Sequence, residues 1–225
     1  LSDTDGEFLT RFANFVIANK KACLWFMVGG IILAIINIPK NELNDVFVHY
    51  FDEKIDFRTD TDFMVENMTG AYTINFSLEA SESGGISDPD FLSDVENFSL
   101  WLENQPETIH VARFTEIMKR LNKNMHGDDP AYYVLPDNRE LAAQYLLLYE
   151  MSLPYGLDLN NQINVDKSST NVKSTLQTIS SREGIALDAR AKRWVEQNTT
   201  KIDRVDSAST FLMFSNIGQR NIKTM

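Results

Sequence analysis

The residues of this chain that could do chemistry include a histidine followed by two acids. His126 precedes Asp128 and Asp129 in the run HGDDP, and an imidazole beside carboxylates is a donor set for a divalent metal ion. The same run is typical of a solvated turn that Asp-Pro closes. No matching group of ligands elsewhere in the sequence would complete a coordination sphere. The sequence therefore predicts a turn here and no metal site.

The other polar residues do not form a catalytic pattern. His110 alternates outward on a predicted strand, and His49 falls in a predicted linker. The sequence contains no Gly-x-Ser-x-Gly nucleophile turn, no phosphate-binding loop and no dinucleotide fingerprint. Adjacent carboxylates such as Asp52 and Glu53 are most simply surface charge. We therefore expect no catalytic residues, no cofactor and no enzymatic activity.

The most informative element is an apolar run at residues 22–38 (ACLWFMVGGIILAIINI), which carries no formal charge. At about 1.5 Å per residue it covers roughly 25 Å, the short end of what crosses a hydrocarbon core of about 30 Å. A cleaved signal peptide needs a basic start, whereas this chain starts with Asp3, Asp5 and Glu7. A buried core helix usually has a polar face, which this run lacks. We predict one transmembrane helix within residues 1–40.

The charges that flank the apolar run predict its orientation. Arg11, Lys20 and Lys21 precede it, and acidic residues dominate the stretch that follows. The positive-inside rule then places the N-terminal end in the cytoplasm and the large domain outside. Four apolar residues of the preceding stretch share one helical face: Phe8, Phe12, Phe15 and Val16. An interfacial helix and an early start of the same helix both fit this pattern.

The composition excludes some classes of function. The chain has a net charge of −11, from 21 basic and 32 acidic residues, and lacks a basic cluster that could bind nucleic acid. Its single cysteine, Cys23, lies in the apolar run, so no disulfide can form within the chain. An exterior domain without disulfides suits a bacterial periplasm. The first residue is Leu, and we expect the chain to be part of a longer protein.

The exterior part alternates between strand and helix patterns. A linker at residues 41–58 leads into a domain at residues 59–216. Asp88 with Pro89, and Ser180 with Glu183, are helix start signals. The hydrophobic periodicity predicts strands at residues 72–78, 108–113, 163–178 and 210–214, and helices that start near residues 60, 89, 114, 137 and 181.

The same periodicity predicts which side chains face the core. On the helix at residues 137–152, and on the second and third strands, we expect these residues to point inward: Leu141, Tyr145, Leu148, Met151, Ile109, Val111, Val165, Val172 and Leu176. The run YLLLY, residues 145–149, is apolar on more than one face. It fits either a deeply buried helix or a surface that meets another part of an assembly.

The order of these elements predicts an α+β fold after the transmembrane helix. It reads β-α-β, a helical insert at about residues 115–157, and β-α-β again. Two split βαβ units on one antiparallel sheet give a ferredoxin-like sandwich. Its helices would cover one face of the sheet, so that a single core serves the whole unit.

Several motifs resemble one protein family. The most specific are the blocks at residues 119–129 (KRLNKNMHGDD) and 139–166 (RELAAQYLLLYEMSLPYGLDLNNQINVD). Shorter matches are Asn44-Asp45, Tyr50-Phe51-Asp52, Phe57-Arg58, Glu82-Ser83-Gly84-Gly85-Ile86, Asp88-Pro89, Asp188-Ala189-Arg190-Ala191 and residues 217–222 (IGQRNI). Together they resemble bacterial exporters of the RND superfamily, MMPL branch, over nearly the whole chain.

This resemblance implies a function and an assembly. Such exporters have two similar halves, each with one transmembrane helix, a periplasmic loop that builds ferredoxin-like porter domains, and five more helices. They use the proton gradient to move lipids or other hydrophobic molecules. The chain would be one first helix and one porter loop at the bacterial inner membrane, with the next transmembrane segment beginning at residues 217–225. Its partners would be the bilayer, the hydrophobic substrate and the rest of the transporter.

The resemblance assigns no residue of this chain to energy coupling, because the family's proton-relay acids lie in helices outside it. We expect the substrate to contact the apolar side of the helical insert, with these candidate residues: Leu146, Leu147, Tyr149 and Met151. The alternative is a single-pass membrane protein whose exterior domain binds a ligand or a partner. A membrane-tethered hydrolase would need a nucleophile and a base in a recognisable pattern, which the sequence lacks.

Overall fold

The computed structural model describes residues 3–37, 50–67, 69–70, 72–154 and 159–224, and the chain divides into two compact units, residues 1–43 and 44–225. The first unit contains α1 (Asp3–Ala18) and α2 (Lys20–Asn37). The backbone N–H of Asn19 donates to the carbonyl of Phe15, and that of Cys23 donates to Asn19, both at 3.0 Å. Asn19 itself is a turn residue between the two helices, so the helical hydrogen bonding is interrupted there. The interfacial helix and the early start of the same helix both stay predictions.

The second helix of this unit is long and apolar enough to cross a membrane. Its mean hydropathy is 1.5 over 18 residues, and none of its described side chains is buried. Trp25, Phe26 and Leu33 are all exposed. A helix that is apolar all round is typical of a membrane span or of a helix buried in a core. Cys23 carries a free thiol within this helix.

The second unit is built on a four-stranded antiparallel sheet. Its strands are β1 (Tyr72–Ala80), β2 (Thr108–Ala112), β3 (Ser169–Leu176) and β4 (Ile202–Ala208), in the order β2-β3-β1-β4. All three neighbouring pairs are antiparallel. Consequently β1 runs parallel to β2 with β3 between them, and β3 runs parallel to β4 with β1 between them.

Helices make the long connections between these strands. The bounds are α3 (Asp56–Asn67), α4 (Pro89–Glu103), α5 (Phe114–Met125), α6 (Arg139–Ser152), α7 (Ser181–Asn198) and α8 (Thr210–Thr224). α4 joins β1 to β2, and α7 joins β3 to β4. α5 and α6 occupy the connection between β2 and β3, with a short 3-10 turn at Pro130–Tyr132 between them. The predicted α+β class is confirmed.

The core lies between one face of the sheet and the helices α4 and α7. Ile74, Phe76 and Leu78 alternate along β1 and are fully buried. Phe76 meets Phe98 of α4 edge to face, with ring centroids 5.5 Å apart. Such aromatic pairs add a specific contact to the apolar area that they bury. The alternate residues of β1 are polar and only partly covered, so the opposite face of the sheet remains polar.

Two predicted helix starts are confirmed by their capping geometry. The side chain of Asp88 accepts hydrogen bonds from the backbone N–H groups of Asp90 and Phe91 at the start of α4. Ser180 and Glu183 form a reciprocal capping box at the start of α7. Each cap satisfies N–H groups that have no partner within the helix. These hydrogen bonds hold the pKa of Glu183 below its ordinary value.

The last predicted strand is wrong. Residues 210–214 begin α8, and the fourth strand lies earlier, at Ile202–Ala208. The pairing of β1 with β4 shifts register near Glu79, which leaves half-buried Ile202 and Val205 three residues apart. This spacing hides the period of two that marks a strand. The Ser209 hydroxyl accepts from Leu212 N–H at 3.4 Å, which is a typical helix start.

Two residues predicted to face inward on strands are exposed. Ile109 is 55% exposed, because the pairing of β2 with β3 skips one residue there and forms a β-bulge. Val165 is 88% exposed. It precedes a turn in which Lys167 has a positive φ of 55°, and β3 starts only after this turn. Val111, Val172 and Leu176 are buried as predicted.

Candidate functional site

The residues predicted to contact substrate lie on α6, whose start is fixed by a cap. The Asn138 side chain accepts from the N–H groups of Glu140 and Leu141, at 2.8 and 3.1 Å. From this start, the helix turns its candidate residues in different directions: Leu146 lies in the core, Tyr149 is half-buried, and Leu147 and Met151 are 53% and 77% exposed. Leu147 and Met151 are one turn apart and share a face. The surface candidate is therefore this pair.

The face that α6 turns to the core differs from the prediction. Tyr145 is buried and Leu141 packs against the core, as predicted, whereas Leu148 and Met151, which we also predicted to point inward, are exposed. Ala142 and Leu146 are buried instead. The five consecutive apolar residues of the run YLLLY cover all sides of the helix. Their spacing therefore does not predict which side is buried.

A buried amide holds α6 in place. Asn122, on α5, donates from Nδ2 to the carbonyl of Val134 at 3.0 Å and accepts at Oδ1 from the Tyr145 hydroxyl at 3.1 Å. Asn122 and Tyr145 are both buried. Burial raises the pKa of the Tyr145 hydroxyl, which keeps this group protonated as the donor. One side chain thus joins α5, α6 and the loop between them.

The turn that we considered as a metal site is occupied by other contacts. The ring of His126 stacks on that of Tyr132 at 3.8 Å, and its Nδ1 lies 2.8 Å from the carbonyl of Asn122. Asp129 caps the following 3-10 turn by accepting from Ala131 N–H at 2.9 Å. Within the described ranges, no group of three or more His, Cys, Asp or Glu side chains could hold a metal ion. His49 lies outside the described residues.

A cluster of charges ties α4 to the start of the insert. Glu96 accepts from Lys119 Nζ at 2.6 Å and from the Thr115 hydroxyl at 2.5 Å, and Arg113 Nε lies 3.3 Å away. Burial alone would raise the pKa of Glu96. The hydrogen bonds from Lys119 and Thr115 and the charge of Arg113 outweigh burial, so the pKa lies below its ordinary value. Arg113 also pairs with Glu103 at 2.6 Å. This cluster is structural.

A polar groove on the face of the sheet away from α4 and α7 was not predicted from the sequence. Its floor contains Asn75 and Ser77 of β1, Asn171 of β3 and Asp206 of β4, and its wall is residues 160–164. Its volume is about 310 Å³. The available sequence signal was the amide-rich run NNQIN that forms this wall. Its partners on the sheet are far away in sequence, and only the fold brings them together.

No protein-family model matches this chain, and no curated protein matches it in sequence.

Proposed function

We propose that the chain is the membrane-anchored porter portion of a proton-driven exporter of lipids or other hydrophobic molecules, of the RND/MMPL type. The motifs at residues 119–129 and 139–166 support this assignment. α2 would anchor the chain in the bacterial inner membrane, and the second unit would lie in the periplasm. The unit would guide substrate without chemical catalysis, together with the remaining parts of the same transporter.

The strand order β2-β3-β1-β4 is the observation that carries this proposal. It is the order expected when two βαβ units interleave, each splitting the other's pair of parallel strands, as in a ferredoxin-like fold. α4 and α7 share one face of the sheet, and the insert of α5 and α6 interrupts the connection between β2 and β3. We therefore propose a ferredoxin-like porter domain with a helical insert.

The exposed pair Leu147 and Met151 is the proposed contact for the hydrophobic substrate. Both side chains lie on the outer face of the insert, where an apolar surface favours an apolar ligand. Tyr149 is half-buried and packs against the core, on a different side of α6 from this pair. Leu146 supports the face from the core.

The second candidate function is a single-pass protein with an exterior ligand-binding domain. The polar groove on the sheet favours it, because a groove lined by hydrogen-bonding groups can serve as a binding site without any transport. Reading the coding sequence downstream separates the two candidates. The export proposal expects about five closely spaced apolar spans after this chain, and the alternative expects none.

Cysteine labelling tests the topology on which the export proposal rests. In a Cys23→Ala background, Ser93→Cys places one thiol on the exposed face of α4, and Asn14→Cys places one on α1. With a maleimide reagent that crosses the outer but not the inner membrane, Ser93→Cys should label in intact cells. Asn14→Cys should label only after the inner membrane is permeabilised. The reverse pattern would put the domain in the cytoplasm and end the proposal.

A transport measurement tests the contact surface in the intact exporter. Met151→Lys should raise the cellular accumulation of a lipophilic dye such as Nile red to the level of cells without the exporter. Glu140→Lys, on an exposed position of the same helix, is the matched control and should leave accumulation unchanged. Equal accumulation in wild type and Met151→Lys would remove this surface from the substrate path.

A further inference from the structure

The polar groove has a fixed floor that spans three strands. Ser77 pairs with Asn171 on one side and with Asp206 on the other, so these residues form one row across β3, β1 and β4. Neighbouring strands lie about 4.8 Å apart, and the row therefore spans roughly 10 Å. Residues 160–164 form the wall beside it. With a volume of about 310 Å³, the groove is large enough for one small ring.

The charge of the groove argues against an ionic ligand. Among the residues that the structure describes, the lining contains no Lys, Arg or His, and its one charged side chain is Asp206. The Asp206 carboxylate pairs with Arg204 at 2.7 Å, which offsets its charge. A phosphate or carboxylate group would find no cation among these lining residues. The lining instead carries six side-chain amides: Asn75, Asn160, Asn161, Gln162, Asn164 and Asn171.

Some of these amides hold the wall against the sheet. Asn171 Nδ2 donates to the carbonyl of Asn161 at 3.1 Å and to Asn75 Oδ1 at 3.3 Å. The Thr170 hydroxyl donates to the carbonyl of Gln162 at 3.1 Å. Asn164 Oδ1 accepts from the backbone N–H groups of Ser168 and Ser169 at the start of β3, at 2.8 and 2.9 Å. The groove is therefore formed before any ligand binds, which lowers the entropy cost of binding.

Other polar groups of the lining remain available. Within the part of the chain that the structure describes, the Ser77 hydroxyl and the side-chain amides of Asn161 and Gln162 make no hydrogen bond to protein. Asn171 Oδ1 is buried and has no donor among the described residues. A side-chain amide presents both a hydrogen-bond donor and an acceptor. A ligand that pairs with these free groups must therefore offer donors and acceptors as well.

We propose that this groove binds a neutral, polyhydroxylated ring, of which a hexose is the simplest example. Each ring hydroxyl donates one hydrogen bond and accepts two, which matches the mixed donors and acceptors of the amides. The Asp206 oxygen that is not paired with Arg204 can accept from one or two hydroxyls. A groove this open to water binds such a ring weakly, with a Kd on the order of 1 mM. This proposal does not depend on the export function.

Saturation-transfer NMR on the full chain tests the proposal. The chain is held in lipid nanodiscs or a zwitterionic detergent, since detergents with sugar head groups would compete for the groove. Methyl glucoside should receive saturation from the protein and titrate with a Kd on the order of 1 mM. Ser77→Val and Asp206→Asn should each weaken binding about fivefold or more, because each removes a polar group from the floor.

The matched control is Thr73→Val, which makes a similar change on the same strand and face outside the groove lining. It should leave the Kd unchanged. No saturation transfer at about 50 mM sugar, far above the expected Kd, would overturn the proposal. So would equal binding of cyclohexanol, tighter binding of inorganic phosphate, or an unchanged Kd in both groove variants. If Ser77→Val does not fold, the exposed Asp206→Asn carries the test.

Discussion

Replacing Asn122 by alanine should loosen the helical insert, because this buried amide joins three segments of the chain. The substitution removes the acceptor of the Tyr145 hydroxyl and the donor to the Val134 carbonyl. The Tyr145 hydroxyl then stays in a buried position without a partner. Leaving a buried polar group unpaired costs more than the net gain from making the bond.

The expected loss of stability follows from the surroundings of the two groups that lose a hydrogen-bond partner, the Tyr145 hydroxyl and the Val134 carbonyl. An unsatisfied buried hydroxyl costs about 1–3 kcal/mol. The carbonyl of Val134 belongs to a residue that is itself exposed, so water can replace part of its hydrogen bond. We therefore expect Asn122→Ala to lower the free energy of unfolding by about 2–3 kcal/mol. Tyr145→Phe should cost about 1–2 kcal/mol, because it leaves Asn122 Oδ1 without its donor.

Urea denaturation followed by tryptophan fluorescence measures these losses. The chain contains three tryptophans, and Trp25→Phe removes the one in α2. The remaining signal comes from Trp101 and Trp194, whose rings stack 5.7 Å apart at the edge of the core. Unfolding separates these two rings, and the resulting change in fluorescence reports on the second unit. The free energy is obtained by linear extrapolation of the transition to zero urea.

A double-mutant cycle with Asn122→Ala and Tyr145→Phe isolates the bond between them. The coupling energy should be about 1 kcal/mol. Tyr149→Phe, one turn further along α6 and half-buried, is the control and should cost less than about 0.5 kcal/mol. A coupling near zero, or equal costs for the two tyrosine variants, would refute the role given to Asn122.

Three further predictions concern charge, packing and the exposed face of the insert. The pKa of folded Glu96 lies below its ordinary 4.5. The stability that Glu96 contributes is therefore present above pH 4.5 and is lost as the pH falls below this value. When the free energy of unfolding is measured against falling pH, Glu96→Gln should lose stability less steeply than wild type. A Cβ at Gly184 would overlap the ring of Phe211, so Gly184→Ala should lower the free energy of unfolding by about 1–3 kcal/mol in the same urea assay. Met151→Lys, at an exposed position, should change that free energy by less than about 0.5 kcal/mol, so a transport defect in this variant would not reflect misfolding.

Local signals in the sequence were enough to place the elements that carry their own caps and periodicity. Asp88 and Ser180 mark helix starts through side chains that bond to N–H groups two or three residues away. The alternation of β1 follows from packing one face against the core. By contrast, the inward residues of β2 and the position of β4 depend on bulges, which are set by the pairing with another strand.

The candidate sites depended even more on contacts between distant residues. The orientation of α6 follows from its packing on α5 and from the bond between Asn122 and Tyr145, which are 23 positions apart. The sequence alone offered the apolar run YLLLY with no preferred face. The groove brings Asn75 next to residues 160–171 and 206–208, so only its wall, the run NNQIN, could be noticed beforehand.

The interruption between α1 and α2 has a mechanical consequence. Asn19 is a turn residue with helix on both sides of it. A gap in the ladder of helical hydrogen bonds is a point at which a helix bends easily. The angle between α1 and α2 can therefore change while both helices keep their own hydrogen bonds.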